Sequence, residues 1–502
     1  MAAPSAINHV FVLMLENRSF DHMLGFSGLQ GADAETGVPT EINGLTGNES
    51  NQYKGQGYRV SRGADLRMPS DPNHEFPDVL VQLCGAGAQY PAGGAYPPID
   101  NSGYVVSYVA SNGKDPAEIM KCYTPGQLPV LNALASEFVV CDRWHASLPG
   151  PTWPNRLFAH AASSAGLDHS PTTAEILEWE TVDGFGFPNG TIFDALSKKG
   201  IRRELYGGDD FPMVSALKGI HLDDIRSYQL FANDLAQPGY AAGYTFIEPS
   251  YDVLNDYRNG TSQHPLGDVT LGEALIKSSY EAIRNSPVWS SSLLIITWDE
   301  HGGFFEHALP PAAPPPEDNP VPSRNKFGFT FARYGPRVPA LVISPLIPGN
   351  LIDHRLYDHA SIPATLEALF GLAPLTGRDR QASTLDVLAT LTQARTDCPE
   401  TLPAPAGSEL TAAPDGITTA VRPDDSVNQG NVPVIVHAAM QQDLQLNPDA
   451  RQAIIQRVRS IRTRADAQRY LKDVQAEKQE RRRASSSPPA VNPSAARQSP
   501  TG

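Results

Sequence analysis

The chain has 502 residues, with 55 Asp and Glu against 39 Lys and Arg, for a net charge of −16 at pH 7. That balance excludes a general affinity for nucleic acid, while leaving room for a local basic site that takes an anionic substrate. Hydrophobic residues make up 40% of the chain, enough for a large core, and no apolar run nears the roughly 18 residues needed to span a bilayer.

The four cysteines, Cys84, Cys122, Cys141 and Cys398, form no CxxC pair. They argue against a zinc ribbon or a disulfide framework and read as buried free thiols. The opening Met1-Ala2-Ala3-Pro4 has no basic stretch followed by a long apolar one. The expectation is a soluble protein, cytoplasmic or peripheral at a membrane, with non-classical export left open.

Residues 10–15 are an apolar run too short for a buried helix and suited to a buried parallel strand. The run ends in Glu16-Asn17-Arg18-Ser19-Phe20-Asp21. In open α/β sheets ligands gather beyond the carboxyl ends of the strands, and a Glu and an Asn there offer hard oxygens to a cation. Taken alone, Asn17 or Ser19 reads equally well as a helix cap. Residues 28–70, rich in Gly, Asn and Thr, read as a surface excursion, and residues 84–103 are rich in Gly and Pro. Strand-like runs at 138–141, 293–298 and 340–344 alternate with helical patterns at 191–199, 270–284 and 361–370. This alternation predicts a parallel sheet covered on both faces.

The second strand-like run leads into Leu148-Pro149-Gly150-Pro151-Thr152-Trp153-Pro154-Asn155-Arg156. Its prolines and glycine fix a tight loop that presents Thr152. A threonine hydroxyl is a weak nucleophile until a base or a metal activates it. The third run ends in Asp299-Glu300-His301-Gly302-Gly303-Phe304-Phe305-Glu306-His307. Adjacent acids repel unless a cation neutralises them, and the glycines let the backbone turn. Glu16-Asn17, Asp299-Glu300 and Thr152 together outline an oxygen-rich site for one or more divalent ions. Calcium, magnesium and manganese fit by hardness, and zinc also accepts carboxylates. His74, His264, His307 and His359 read singly as structural. As a set they supply donors for phosphate oxygens and a general acid for a leaving alcohol.

Residues 309–323 hold repeated prolines and read as a rigid loop or a lid edge. Residues 1–395 read as one catalytic body, 396–432 as a linker, 433–482 as a helical region and 483–502 as a disordered tail. Between 451 and 483 eleven Lys and Arg face four Asp and Glu. Two readings stand: a docked tail with a solvated basic face, or a basic amphipathic helix that meets anionic lipid.

Seven segments, in order, carry a resemblance: 16–25 (ENRSFDHMLG), 150–156 (GPTWPNR), 248–251 (EPSY), 264–269 (HPLGDV), 299–307 (DEHGGFFEH), 337–345 (RVPALVISP) and 358–367 (DHASIPATLE). The chain resembles the phosphoesterase family of bacterial phosphatidylcholine-type phospholipases C, plant non-specific phospholipases C and a metal-dependent acid phosphatase. The wording is most like the plant-type enzymes.

The resemblance implies an alkaline-phosphatase-like α/β/α sandwich with a mostly parallel sheet, here with a C-terminal helical extension. It implies a phosphorylated-enzyme mechanism in which Glu16, Asn17, Asp299 and Glu300 match metal ligands. Thr152 matches the nucleophile that also touches the metal. His74 and His264 match histidines around the phosphate, with His264 the preferred leaving-group acid, and Arg18, Arg156, His307 and His359 are expected to face the phosphate or to stand behind the groups that do. Glu306 stands where the family often has Asp, and Trp153 where it often has a smaller or polar residue. The expected activity is a metal-dependent phospholipase C. It would release diacylglycerol and a phosphoalcohol through a phosphothreonine, with phospholipid and a membrane surface as partners. The alternative is an acid phosphatase on the same core.

Overall fold

At the centre of the molecule lies strand β1 (His9–Leu15), buried along its length except at His9. A strand enclosed on both faces needs apolar residues at successive positions, and Val-Phe-Val-Leu-Met-Leu supplies them. The computed structural model describes residues 7–178, 184–319, 321–407 and 422–486. The other strands of the main sheet are β2 (Gln30–Asp33), β3 (Pro39–Glu41), β4 (Val139–Cys141), β5 (Arg203–Gly207), β6 (Ile225–Ser227), β7 (Tyr244–Glu248), β8 (Ser292–Trp298), β9 (Ala340–Ile343) and β10 (Leu351–Asp353). Their order across the sheet is β6-β5-β7-β1-β8-β9-β4-β10-β2-β3.

All neighbours run parallel except around β9 and at the β3 edge. Among the described residues no α-helix separates β8 from β9, and β9 pairs antiparallel with β8 where a parallel strand was expected. Two antiparallel steps restore direction, so β4 points the same way as β1. The register sets Leu15 opposite Trp298. Glu16 and Asp299 are therefore the first residues beyond the paired ends of two adjacent parallel strands.

The helices used below are α1 (Phe20–Leu24), α2 (Thr152–Ala161), α3 (Val269–Arg284), α4 (Ser361–Phe370), α5 (Val432–Leu446), α6 (Arg451–Ser460) and α7 (Arg464–Ser486). Helices Pro129–Glu137 and Phe231–Leu235 pack with α3, while α2 packs with α4 and Ile192–Lys199. These groups make the outer layers of an α/β/α sandwich. Local signals agree with the elements. Thr191 and Asp194 form a capping box on Ile192–Lys199, and Asp268 caps α3 through the Thr270 amide at 2.9 Å.

Two parts differ from their sequence expectation. The excursion at 28–70 contributes β2 and β3 to the main sheet and a separate hairpin, Ser50–Tyr53 with Gln56–Arg59. The segment expected as a linker is packed at both described ends. The carbonyl of Cys398 accepts from Arg284, and the Leu402 amide donates to Glu281 at 2.8 Å. Residues 408–421, and the expected tail beyond Ser486, lie outside the described residues. Beyond the linker, Ile454, Val458, Ile461, Tyr470, Leu471 and Val474 join the main hydrophobic core. All four cysteines are free, three of them buried. Among the described residues no helix is long and apolar enough to cross a membrane.

Candidate active site

Two strand ends and one helix start meet at the carboxyl edge of the sheet. Asn17 leaves β1 in the left-handed region (φ 61°). Its backbone amide donates to Asp299 Oδ1 at 3.0 Å, and its side-chain Nδ2 reaches Glu300 Oε1 and Thr152 Oγ1, the latter at 3.4 Å. Gly302 makes the tight turn possible (φ 64°): a Cβ there would lie 2.2 Å from the Asn17 carbonyl oxygen. Glu300 Oε2 accepts the Gly302 amide at 2.7 Å.

Thr152 opens α2 and is 3% exposed. Asn155, one turn on, folds back so that Oδ1 accepts the Leu148 amide and Nδ2 donates to the carbonyls of Leu148, Gly150 and Pro151. This pins the loop that presents Thr152. Among the described residues no side chain caps the start of α2, at Pro151, and uncapped first-turn amides are donors suited to an anion. Arg156, also on α2, donates from Nε to Asp299 Oδ2 at 2.8 Å and from Nη2 to the Leu15 and Met14 carbonyls. It ties α2 to both strand ends.

The electrostatics are unbalanced. Burial, reinforced by Asp299, lifts Glu16 well above the usual carboxylate range. Burial, with the Glu300 charge against that of Arg156, pushes Asp299 up to about 7. Burial also acts to raise Glu300, but the neighbouring His74 and His301 outweigh it and hold its carboxyl down. Two oxygens, Glu16 Oε1 and Asn17 Oδ1, are buried and have no hydrogen-bond partner among the described residues. Orphaned buried oxygens beside three carboxylates form a donor set that a hard divalent cation fits.

His74 and His264 flank this cluster differently. His74 Nδ1 is 2.8 Å from the Pro72 carbonyl, so it carries a proton, while Nε2 lies 3.3 Å from Asn17 Nδ2 and 4.0 Å from Glu300 Oε1. Burial disfavours its charge, but Glu300 and Asp71 prevail and raise it to about 9. His264 is stacked on Tyr257 with ring centroids 3.4 Å apart and an interplanar angle of 4°. Its Nδ1 accepts the Leu266 amide at 3.2 Å, which leaves the ring proton on Nε2, 3.6 Å from Asp71 Oδ2. Burial, then His74 and Arg18, hold it neutral, well below the usual histidine range.

Three other expected substrate-facing residues are committed elsewhere. Arg18 is fully buried: Nε donates to the Gln263 carbonyl at 2.7 Å and Nη2 to that of His264 at 3.4 Å. It fastens the His264 segment instead of facing open space, because carbonyls consume its donors. His359 donates from Nε2 to the Asp299 carbonyl at 2.6 Å and accepts the Trp144 indole at Nδ1. It braces the strand end from behind.

His307 belongs to a second cluster, 2.8 Å from Asp21 Oδ2, with Glu306 alongside. Asp21, Glu306 and His307 are close enough together to hold an ion. Arg337, however, sits among them, with Nη2 3.1 Å from Asp21 Oδ1 and 2.7 Å from Glu306 Oε1.

The sequence reading did not single out Asn155, Asp71, Tyr257 or Asn431. Asn155 lies inside the quoted 150–156 segment and Asp71 three residues before His74, so local motif spacing held a signal for both. Asn431, whose Nδ2 donates to Glu16 Oε2 at 3.0 Å, lies 415 residues from its partner.

Comparison with known proteins places the chain in a family. The Phosphoesterase family matches residues 7–373, and the chain belongs to it. Non-specific phospholipase C6 of Arabidopsis thaliana is 36% identical over 417 residues, spanning 80% of this chain and 75% of that protein. Non-specific phospholipase C3 of the same plant is 35% identical, spanning 80% of this chain and 77% of that protein. Among solved structures, a protein in the alkaline phosphatase superfamily from Vibrio parahaemolyticus aligns with a TM-score of 0.30 and 17% identity. That alignment covers 52% of this chain and 65% of that one.

Proposed function

We propose that the protein is a divalent-metal-dependent phospholipase C acting on glycerophospholipids. The supporting observation is the meeting of Thr152, at the start of α2, with the under-neutralised oxygens of Glu16, Asn17, Asp299 and Glu300. Its relatives at 34–36% identity are named non-specific phospholipases C. Glu16, Asn17, Asp299, Glu300 and Thr152 would hold the cation. When bound, it lowers the pKa of the Thr152 hydroxyl and draws charge off the phosphate oxygens.

The chain's residues divide the remaining work. The Thr152 and Trp153 amides at the start of α2 orient the phosphate, with Asn155 and Arg156 keeping α2 in place. Thr152 Oγ1 gives up its proton to water and attacks phosphorus in line, the bond to the glycerol oxygen breaks, and diacylglycerol leaves. Water then cleaves the phosphothreonine to release the phosphoalcohol. The departing oxygen takes its proton from His74 Nε2 in preference to His264, the reverse of the sequence-based choice. Glu300 and Asp71 raise the His74 pKa in the metal-free protein, whereas burial lowers that of His264.

The test is hydrolysis of phosphatidylcholine vesicles, followed as diacylglycerol, by the wild type and Thr152→Ala. A nucleophile deletion lowers kcat by at least about 10³-fold; near-normal turnover by the variant would sink the assignment. Phosphate release from a small monoester without diacylglycerol from lipid would favour the acid phosphatase. Replacing His74 by Gln should slow alkyl-ester cleavage about 10²-fold or more, with a smaller loss on an aryl ester whose leaving group needs no proton. The same substitution at His264 should do less.

A further inference from the structure

The C-terminal region reaches into the catalytic cluster. Asn431, 6% exposed, stands just before α5. Its side-chain Nδ2 donates to Glu16 Oε2 at 3.0 Å, and its neighbour Gly430 lies against the hydroxyl of Tyr257, the residue stacked on His264. The Gly430-Asn431 pair thus meets both a carboxylate of the cluster and the platform beneath a flanking histidine. The approach is close. Gly430 is left-handed (φ 53°), and a Cβ there would lie 3.1 Å from the Tyr257 hydroxyl.

The fold fixes this position. Asn428 Oδ1 accepts the Thr173 amide at 3.0 Å and its hydroxyl at 3.2 Å. The Val427 amide donates to the Arg462 carbonyl at 2.9 Å, and the Arg464 amide to that of Asp425 at 2.9 Å. Arg464 Nη2 donates to the Val253 carbonyl in the loop that carries Tyr257. Helix α5 is buried over its first twelve residues and packs on Met213–Ala216, α7 and Thr173–Glu178.

We infer that Asn431 is a positioning residue for the cation cluster, so that residues 422–486 complete the site. A buried carboxylate with both oxygens unheld can rotate among several orientations. Asn431 holds Oε2, which leaves Oε1, the oxygen without a hydrogen-bond partner, as the one presented to a cation. Partners of this kind commonly change metal affinity by 10- to 100-fold. The inference rests on the cation reading given above.

The test is titration calorimetry of the metal-free full-length protein with manganese, calcium and zinc chloride in turn. It compares the wild type, Asn431→Leu, Asn431→Ala, Glu16→Gln and Asn428→Leu, with the thermal midpoint of each metal-free protein measured in parallel. Both Asn431 variants should bind the preferred cation about 10- to 100-fold more weakly, and Glu16→Gln at least as weakly. Asn428→Leu, which loosens the arm that holds Asn431, should lower the midpoint and weaken binding by less than either Asn431 variant. If Asn431→Leu does not fold, the smaller Asn431→Ala decides. Wild-type affinity in the folded Asn431 variants, with weakened binding in Glu16→Gln, overturns the inference and leaves the cation site standing. No binding by the wild type to any of the three ions overturns the cation reading and this inference with it.

Discussion

Two buried acidic clusters sit a few residues apart in sequence, on the same two segments, yet they are completed in opposite ways. Around Glu16, Asn17, Asp299 and Glu300, the guanidinium of Arg156 meets one carboxylate and His74 leans on another, while two buried oxygens accept nothing among the described residues. Around Asp21 and Glu306, Arg337 and His307 contact both carboxylates. The first cluster is short of positive charge and the second has its own. A buried charge without compensation is costly, and a bound cation, as proposed above, would offset it. The second cluster, built from the same residue types, is a brace.

Removing the internal cation of the brace is the most severe test of this contrast. Arg337→Met leaves Asp21 and Glu306 buried against each other, and should destabilise the protein by about 3–5 kcal/mol in chemical denaturation. Its affinity for the preferred divalent ion should stay within about a factor of two. Equal loss of cation binding would mean that the two clusters act as one. At the other cluster, Glu16→Gln should weaken cation binding by about 100-fold or more. The metal-free variant should be as stable as the wild type or more so, by about 1 kcal/mol, because a carboxyl whose ionisation burial opposes has been made neutral. A large fall in its metal-free thermal midpoint would show that Glu16 is structural.

The pH dependence of cation binding sharpens the same point. Asp299, held up at about 7 by burial, carries a proton below that pH, and Glu16 is raised in the same direction. A cation has to displace these protons. Affinity should therefore fall about tenfold per pH unit and per displaced proton as pH drops below about 7. Calorimetry in buffers of different ionisation enthalpy should register proton release. Affinity that is flat from about pH 5 to 8 would place the cation elsewhere.

The sequence made the strand ends legible because apolar runs broke off abruptly into acids, and a strand closed on both faces has no other way to end. Strand β7 stayed hidden because Tyr244 and Thr245 interrupt its apolar character, and β5 because it starts with Arg203 and Glu204. Both belong to the sheet through pairing that no local pattern records. The partners of Arg18 were hidden for a related reason: the sequence shows only a charge, and only the folded chain shows its donors taken by the Gln263 and His264 carbonyls. Asn431 is the extreme case. It lies in a stretch rich in Pro, Asp and Asn that reads as a tether, and its meaning comes from a partner 415 residues away. Thr152 was visible because rigid neighbours single it out. The residue that pins its loop, Asn155, looks like any polar position in a helix.

The smallest expected effect concerns the brace alone and separates it from the alternative that Asp21, Glu306 and His307 hold an ion. Burial opposes charging of His307, but its hydrogen bond and attraction to Asp21 win, and its pKa is raised above the ordinary histidine value. The stability this provides is fully present below about pH 6.5 and is lost as pH rises through the raised value. His307→Gln should therefore cost about 1 kcal/mol near pH 6 and progressively less toward pH 9, measured by urea denaturation of the metal-free protein. An ion-binding triad would behave in the reverse sense. His307 would serve as a neutral ligand, and the cost of losing it would appear only with added cation and grow as pH rose. A deficit of that second kind would erase the contrast between the clusters. The first kind assigns charge compensation at the brace to His307 and Arg337, and leaves the Glu16 cluster as the one that waits for a cation.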